Sequence, residues 1–256
     1  MSSSQGNYKK YVVGRNYIKI ISYEHINAGR RKASGGSQAQ ASLSPQKLDE
    51  AYQYRQRAKR ESLLRLADVN FVPNNCLHVT LTFRKNITDY EIAVAEFKRF
   101  TKRLHRKFDS LRYIATIETQ KRGALHFHMI VNVRELKITQ QSLTPCWLTG
   151  YAHIKPVTDV RGVVLYITKD MVNQKRGDPL FNRRRHFTSR GLQKCVELNT
   201  WDYGNYKTQM IEQMLQGRTP DKRSGSNSTR AGITIYEDYF FQTGWYKQPV
   251  IAKPRS

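Results

Sequence analysis

Acidic side chains are scarce in this sequence. Across 256 residues, 20 Asp and Glu face 44 Lys and Arg, a formal net charge of +24. So unbalanced a chain repels itself, which argues against a solitary role and implies an anionic partner. Nucleic acid is the first candidate, because neutralising phosphates releases counterions; an anionic membrane surface is the second. Long apolar runs are also missing. None approaches the length that spans a bilayer, and no signal peptide is legible, so the expectation is a cytoplasmic protein with no membrane partner. Cysteine is reduced to Cys76, Cys146 and Cys195, widely spaced and without a C-x-x-C, which suits a reducing compartment and speaks against structural zinc. No G-x-x-x-x-G-K-[ST] phosphate loop is present, which speaks against an ATP-driven motor. No internal repeat is found.

What is there divides into three parts. Residues 1–70 read as an N-terminal extension. It holds β-prone runs around Val12-Val13 and Ile18–Ile21, then a Gly/Ser/Ala/Gln-rich linker over 28–44. Ser44 followed by Pro45 reads as an N-cap and first helical residue. The helix to Leu66 carries Arg55, Arg57, Lys59, Arg60 and Arg65, which suit either a solvated face or DNA contact. Residues 71–203 form the expected catalytic domain. Leu77 to Phe83 alternates strictly, with His78, Thr80 and Thr82 on the polar face of a half-buried strand. Thr88-x-x-Glu91 reads as a capping box. The helix after it places Ala93, Phe97, Phe100, Leu104 and Phe108 on one stripe. Strands over 113–120 and 124–133, a strand over 151–157 and a helix over 159–173 follow. This order predicts an α+β fold, an antiparallel sheet backed by helices. Residues 204–256 read as a helix over 206–215, a polar linker over 217–232 and a β-prone tail over 233–246.

His126-Phe127-His128 is the sharpest local feature. On a strand both imidazoles face one way, while Leu125, Phe127, Met129 and Val131 face the core. An isolated H-x-H also arises by chance on a surface strand. Glu118 adds weight through the turn Lys121-Arg122-Gly123. A three-residue hairpin loop puts a left-handed residue third, where glycine fits. That register sets Glu118 opposite His126 and Thr116 opposite His128, so a carboxylate and two imidazoles converge. A two-residue turn would instead send Glu118 to the apolar face. Two His and one carboxylate leave open positions on a divalent cation, as a catalytic site requires.

Further on, Val160, Val164, Ile167 and Met171 make a buried helical stripe, and Tyr166 and Lys169 share another face. A tyrosine beside a lysine is commonly no more than packing and a solvated charge. Downstream of a metal pair it acquires a role. A phenol is a weak nucleophile, with an ordinary pKa of about 10. A cation on the phosphate and a nearby ammonium together make its attack on a phosphodiester feasible.

Thr80-Leu81-Thr82-Phe83, Glu118 with His126-Phe127-His128, and Tyr166-Ile167-Thr168-Lys169 resemble, in order and spacing, the three motifs of the HUH endonucleases. Within that superfamily the chain is most similar to one-tyrosine rolling-circle replication initiators of bacterial plasmids and filamentous-type phages. Phe187 to Leu192 and Leu64 to Phe71 are similar to plasmid-type members. The resemblance covers residues 65–200. It implies a central antiparallel sheet of about five strands and Mg²⁺ or Mn²⁺ held by Glu118, His126 and His128. It implies Tyr166 as nucleophile, aided by Lys169, and a 5′-phosphotyrosyl intermediate with a free 3′-hydroxyl. Family members carry a further polar residue near the tyrosine, for which Asp170 and Asn173 are the candidates. The implied partners are single-stranded DNA at a replication origin bearing a hairpin, and host helicase and replication proteins in a bacterial cytoplasm. Lys98, Lys102, Arg103, Arg106 and Arg190 are the expected DNA contacts. A second cleavage could come from a homodimer, from Tyr151 or Tyr203, or from water. The competing readings are a one-tyrosine relaxase or transposase and a non-catalytic basic DNA-binding regulator. Relaxases place the tyrosine before the histidines, unlike this sequence.

Overall fold

The structure, a computed structural model, describes residues 8–24, 44–133, 138–173, 177–200, 206–228 and 232–241. In chain order the elements are β1 (Tyr8–Val13), β2 (Tyr17–Tyr23), α1 (Pro45–Asn70), β3 (Cys76–Phe83), α2 (Tyr90–Lys107), β4 (Tyr113–Thr119) and β5 (Leu125–Asn132). There follow α3 (Gln140–Leu143), β6 (Gly150–Pro156), α4 (Val160–Ile167), α5 (Lys169–Val172), β7 (His186–Thr188), β8 (Val196–Asn199), α6 (Tyr206–Leu215), β9 (Lys222–Ser228) and β10 (Gly232–Phe240). The fold is α+β, with two antiparallel five-stranded sheets. The chain clusters into two compact units, residues 44–193 and residues 1–43 with 194–256. Most of the linker over 28–44, Tyr203 and the tail beyond residue 241 lie outside the described residues. Among the described residues no helix is long and apolar enough to cross a membrane.

The central unit is built on the sheet β6-β3-β5-β4-β7. One face is apolar throughout: Val79, Leu81, Phe83, Ala115, Ile117, Phe127 and Met129 pack under Ala93, Phe97, Phe100 and Leu104 of α2. Phe97 stacks on Phe127 at 4.4 Å between ring centroids. The opposite face is divided. At one end Cys76, Ile114 and Ile130 are covered by Leu63, Leu64 and Ala67 of α1 and by Val160 and Val164 of α4. Its other end carries polar groups. The helix that the sequence assigns to an N-terminal extension thus packs on the central sheet. Its charged surface concealed the apolar stripe Leu63, Leu64 and Ala67.

Several local expectations are met and others corrected. Ser44 caps α1, with Pro45 in its first turn. Asp89, not Thr88, caps α2: its carboxylate accepts from Ile92 N at 2.8 Å, and a carboxylate is a good acceptor at a helix N-terminus. The helix expected over 159–173 breaks at Thr168, whose φ of −105° and ψ of 3° end α4 while its hydroxyl bonds back to Val164 O. The fifth strand, β7, spans three residues, too short for its alternation to be legible.

The β4–β5 turn follows the expected register. Gly123 has φ +85°, Gln120 N donates to Ala124 O at 2.8 Å, and Glu118 pairs with His126 and Thr116 with His128. A Cβ on Gly123 would meet only Thr88 Cγ2, at 3.9 Å. Gly123→Ala should therefore destabilise the domain through backbone strain alone, by about 1 kcal/mol. Chemical denaturation measures it, and an unaltered midpoint would contradict a strained turn.

The second unit joins residues from near both ends of the chain in the sheet β8-β1-β2-β10-β9. Tyr11, Val13, Ile18, Ile20, Leu198 and Tyr239 pack with Ile211 and Leu215 of α6. Tyr11 Oη donates to Glu212 at 2.6 Å, and Lys9 pairs with the same carboxylate at 2.7 Å. The polar segment expected to be a linker over 217–232 instead contains β9. Its Lys-Arg-Ser-Gly-Ser-Asn-Ser sequence lacks β-branched and aromatic residues, and β9 is an edge strand held by its pairing with β10.

Candidate active site

Strand register fixes the polar end of the central sheet. Across neighbouring strands one row reads Tyr151, Thr82, His126, Glu118, and the next reads His153, Thr80, His128, Thr116, His186. Residues in such rows project to one face. The sequence-predicted ligands Glu118, His126 and His128 are all buried, and their candidate ligand atoms lie within 4.8 Å of one another. His126 Nε2 is 2.5 Å and His128 Nε2 2.8 Å from the same oxygen, Glu118 Oε1. Burial opposes ionisation of Glu118, but the hydrogen bonds and positive potential of the two histidines outweigh it. The net effect holds the carboxyl well below its usual range. The group fits a cation: three donors converge, and Glu118 Oε2 and His126 Nδ1 are buried with no partner.

Two further side chains shape the cluster. His78 Nε2 lies 3.1 Å and Thr80 Oγ1 3.3 Å from His128 Nδ1. Burial, helped by the positive neighbours His128, Lys155 and His153, pushes the His78 pKa down to about 4. A neutral His78 accepts from His128 Nδ1–H, which leaves Nε2 of His128 as the ligand nitrogen. The alternation of β3 placed His78 on the right face, and only its identity as a partner of His128 was missed. Asp170 is the polar neighbour expected near the tyrosine. Its pKa is raised by burial and by a hydrogen bond with Glu118. Arg185, unremarked in the sequence, is buried beside them and donates to Asp170 O at 3.0 Å.

Tyr166 stands over this cluster. Its ring centroid is 5.4 Å from that of His128 and 5.9 Å from that of His78, edge-on to both. It is 48% exposed, so its hydroxyl is open to a ligand. Despite the break at Thr168, Lys169 Nζ sits 4.5 Å from the Tyr166 ring centroid. The end of α4 is anchored to the sheet by Thr116 Oγ1, which donates to Ile167 O at 2.6 Å. Asp159 caps the start of the same helix by accepting from Gly162 N at 2.9 Å.

The expected DNA contacts do not join this group. Lys98, Lys102 and Arg106 are exposed on α2, which covers the opposite face of the sheet. Arg103 is a brace: its Nε donates to Cys146 O at 2.8 Å, and Nη2 is buried. Arg190 is exposed in the loop after β7. Tyr151 projects from β6, 62% exposed, beside Thr82 in the same row as His126.

His186 closes the second row. Burial first, then Lys59 and Arg184, push its pKa down to about 4. The sign follows from proton uptake. Below the ordinary value of about 6.5 the unfolded chain binds a proton that the folded chain refuses, so stability falls as pH drops from about 6.5 to 4. After allowance for solvent screening this amounts to about 2 kcal/mol for His186. His186→Gln should flatten that part of the pH–stability curve in denaturant titrations; an identical curve would contradict the assignment.

With this geometry in place, comparison gives a consistent answer. Residues 76–175 match a family of replication-associated proteins, the ORF2 type, consistent with a rolling-circle replication initiator of the HUH type. No curated protein and no solved structure gives a significant match.

Proposed function

We propose that this chain nicks single-stranded DNA at a rolling-circle origin, with Tyr166 as nucleophile, and later rejoins the strand. The observation that carries the reading is the seat of Tyr166, with its ring 5.4 Å from His128 and its hydroxyl face open, directly over the buried Glu118–His126–His128 cluster. These three residues would hold a divalent cation, Mg²⁺ or Mn²⁺. Two imidazoles among three ligands favour Mn²⁺, since Mg²⁺ prefers oxygen. When bound, the cation supplies Lewis-acid polarisation of a non-bridging phosphate oxygen and helps to orient phosphorus.

The chain's own residues do the remainder. Tyr166 Oη forms a bond to phosphorus as the bond from phosphorus to the 3′-oxygen breaks. The phenolic proton is lost and the departing oxygen gains one, leaving a free 3′-hydroxyl and a 5′-phosphotyrosyl ester. Lys169, over the ring, stabilises negative charge developing on the phenol and the phosphate. Thr116 and Asp159 hold α4 at its two ends, so the tyrosine arrives in a fixed position. The ester conserves the linkage energy, and attack by a 3′-hydroxyl reverses the step. The description of the matched family favours an initiator over a relaxase or transposase. Duplex opening falls to a separate host helicase.

The purified chain, given labelled single-stranded origin DNA and Mn²⁺ without ATP, is expected to yield a protein-linked 5′ fragment and a free 3′-hydroxyl fragment. Robust ATP hydrolysis by the pure chain, or cleavage that leaves no protein-linked product, would overturn the reading.

A further inference from the structure

A second cationic site lies on the central unit, away from the tyrosine. The C-terminal turns of α2, the turn that follows it and the loop after β7 enclose an open recess of about 660 Å³. Four cations line it, Lys102, Arg106, Arg112 and Arg190, against a single carboxylate, Asp109. Among the described residues none forms an ion pair with Lys102, Arg106 or Arg190, so their charge is uncompensated. His105, also in the wall, has its pKa lowered by burial and by Arg112, and adds no charge near neutrality.

The recess is shaped by the fold rather than being a chance gathering of long side chains. Ser189 ties its loop to β4 in both directions: its Oγ accepts from Tyr113 N at 3.0 Å, and its N donates to Tyr113 O at 3.0 Å. Arg112 is held through its own backbone, where N donates to Asn132 Oδ1 at 2.6 Å, and its Nη1 donates to Leu111 O at 3.2 Å. Its guanidinium lies against Gly191, whose φ of +74° turns the loop; a Cβ there would fall 3.1–3.3 Å from Arg112 Nη2, Nε and Cζ. Arg112 is thus a fixed wall, with Lys102, Arg106 and Arg190 as movable arms.

Position separates this recess from the cleavage site. Arg112 and Tyr113 stand at the start of β4 and Glu118 near its end. Five residues of strand span about 17 Å, and the two sites use opposite faces of the sheet. That distance equals at least about five base-pair steps of a duplex. A phosphate lying on Tyr166 and a phosphate in the recess therefore belong to different parts of the substrate.

We propose that the recess holds backbone phosphates of DNA outside the cleaved segment, so that the chain grips its substrate at two places. This rests on the reading of the chain as a DNA-nicking enzyme. The phosphates come either from the continuing single strand or from the stem of an origin hairpin. Because backbone contacts carry no base sequence, arbitrary sequences serve as probes.

The test uses the full chain with Arg106→Gln and Arg190→Gln combined, beside Arg106→Lys with Arg190→Lys. Affinity is measured against salt for three probes: a short strand that fills only the cleavage site, the same strand extended, and the same strand carrying a stem-loop. Loss of two phosphate contacts lowers the log–log salt slope by about 1.4 for a single strand and about 1.8 for a duplex. The Gln pair is expected to show that loss on the extended strand, the stem-loop or both, with at least a tenfold drop in affinity. The probe that responds identifies the source of the phosphates. The Lys pair should keep the wild-type slope, and the short strand should bind and be cut as before. An unchanged slope on both long probes overturns the proposal, as does an equal loss on the short one. If the Gln pair fails to fold by thermal melting, Lys102→Gln alone, on an exposed helical position, is expected to remove about one contact. Binding slopes are read whether or not cleavage occurs, so failure of the nicking reading is seen separately.

Discussion

Tyr166→Phe should yield a folded protein that binds single-stranded DNA and forms no covalent adduct. The substitution removes one oxygen from a half-exposed ring whose hydroxyl has no hydrogen bond in the structure, so stability should change by less than about 0.5 kcal/mol. The contacts that seat the ring, edge-on to His128 and His78 and beneath Lys169, do not involve the hydroxyl. Cleavage should nevertheless fall on the order of 10⁴-fold or more, because no other group takes the place of a lost nucleophile. Lys169→Ala should slow cleavage on the order of a hundredfold and still permit the adduct, since other charge stabilisation persists. Lys169→Arg should restore only part of the rate, a guanidinium being broader than a point-like ammonium. Mass spectrometry of the proteolysed adduct is the decisive measurement. A modified peptide containing Tyr151, the other exposed tyrosine in the polar rows, would remove Tyr166 from its role while leaving the enzyme class intact.

Loss of either histidine should be nearly as severe. His126→Ala removes one of the two nitrogens that meet Glu118 Oε1. Metal-dependent cleavage should fall on the order of 10³-fold or more, since charge stabilisation on the phosphate goes with it. A second readout avoids activity altogether. Mn²⁺ at a hundred times its dissociation constant should stabilise the wild-type fold by about 2.7 kcal/mol, visible as a rise in melting temperature that chelator reverses. His126→Ala should abolish that rise. Persistence of the full metal-induced shift in the variant would mean that the cation sits elsewhere.

The candidate site was legible because its parts obey short-range rules. A period of two put His126 and His128 on one face, and one left-handed glycine fixed the register that brings Glu118 to them. Tyr166 followed from helical spacing, although α4 ends at Ile167, just past the tyrosine, and is shorter than its apolar stripe suggested. What escaped was decided at long range. Arg185 reaches Asp170 from fifteen residues away, and its burial gives no signal in an Arg-Arg-Arg run. β9 has no strand propensity of its own and exists through β10. The outer sheet pairs Tyr11 with Leu198 and Ile20 with Glu237, and no periodicity announces partners so distant.

That last pairing sets an order of events on the ribosome. β1 and β2 emerge first, yet β1 lacks its neighbour β8 and β2 lacks its neighbour β10 until nearly the whole described chain has been made. At about 5–20 residues per second, more than two hundred residues of translation separate a strand from its partner, a wait of at least about ten seconds. All of residues 44–193 emerge in that interval, so the unit that carries the tyrosine can mature while the first hairpin waits with both edges open. Ribosomes stalled before β8 should hold a chain whose central unit resists protease and whose first hairpin is still cut.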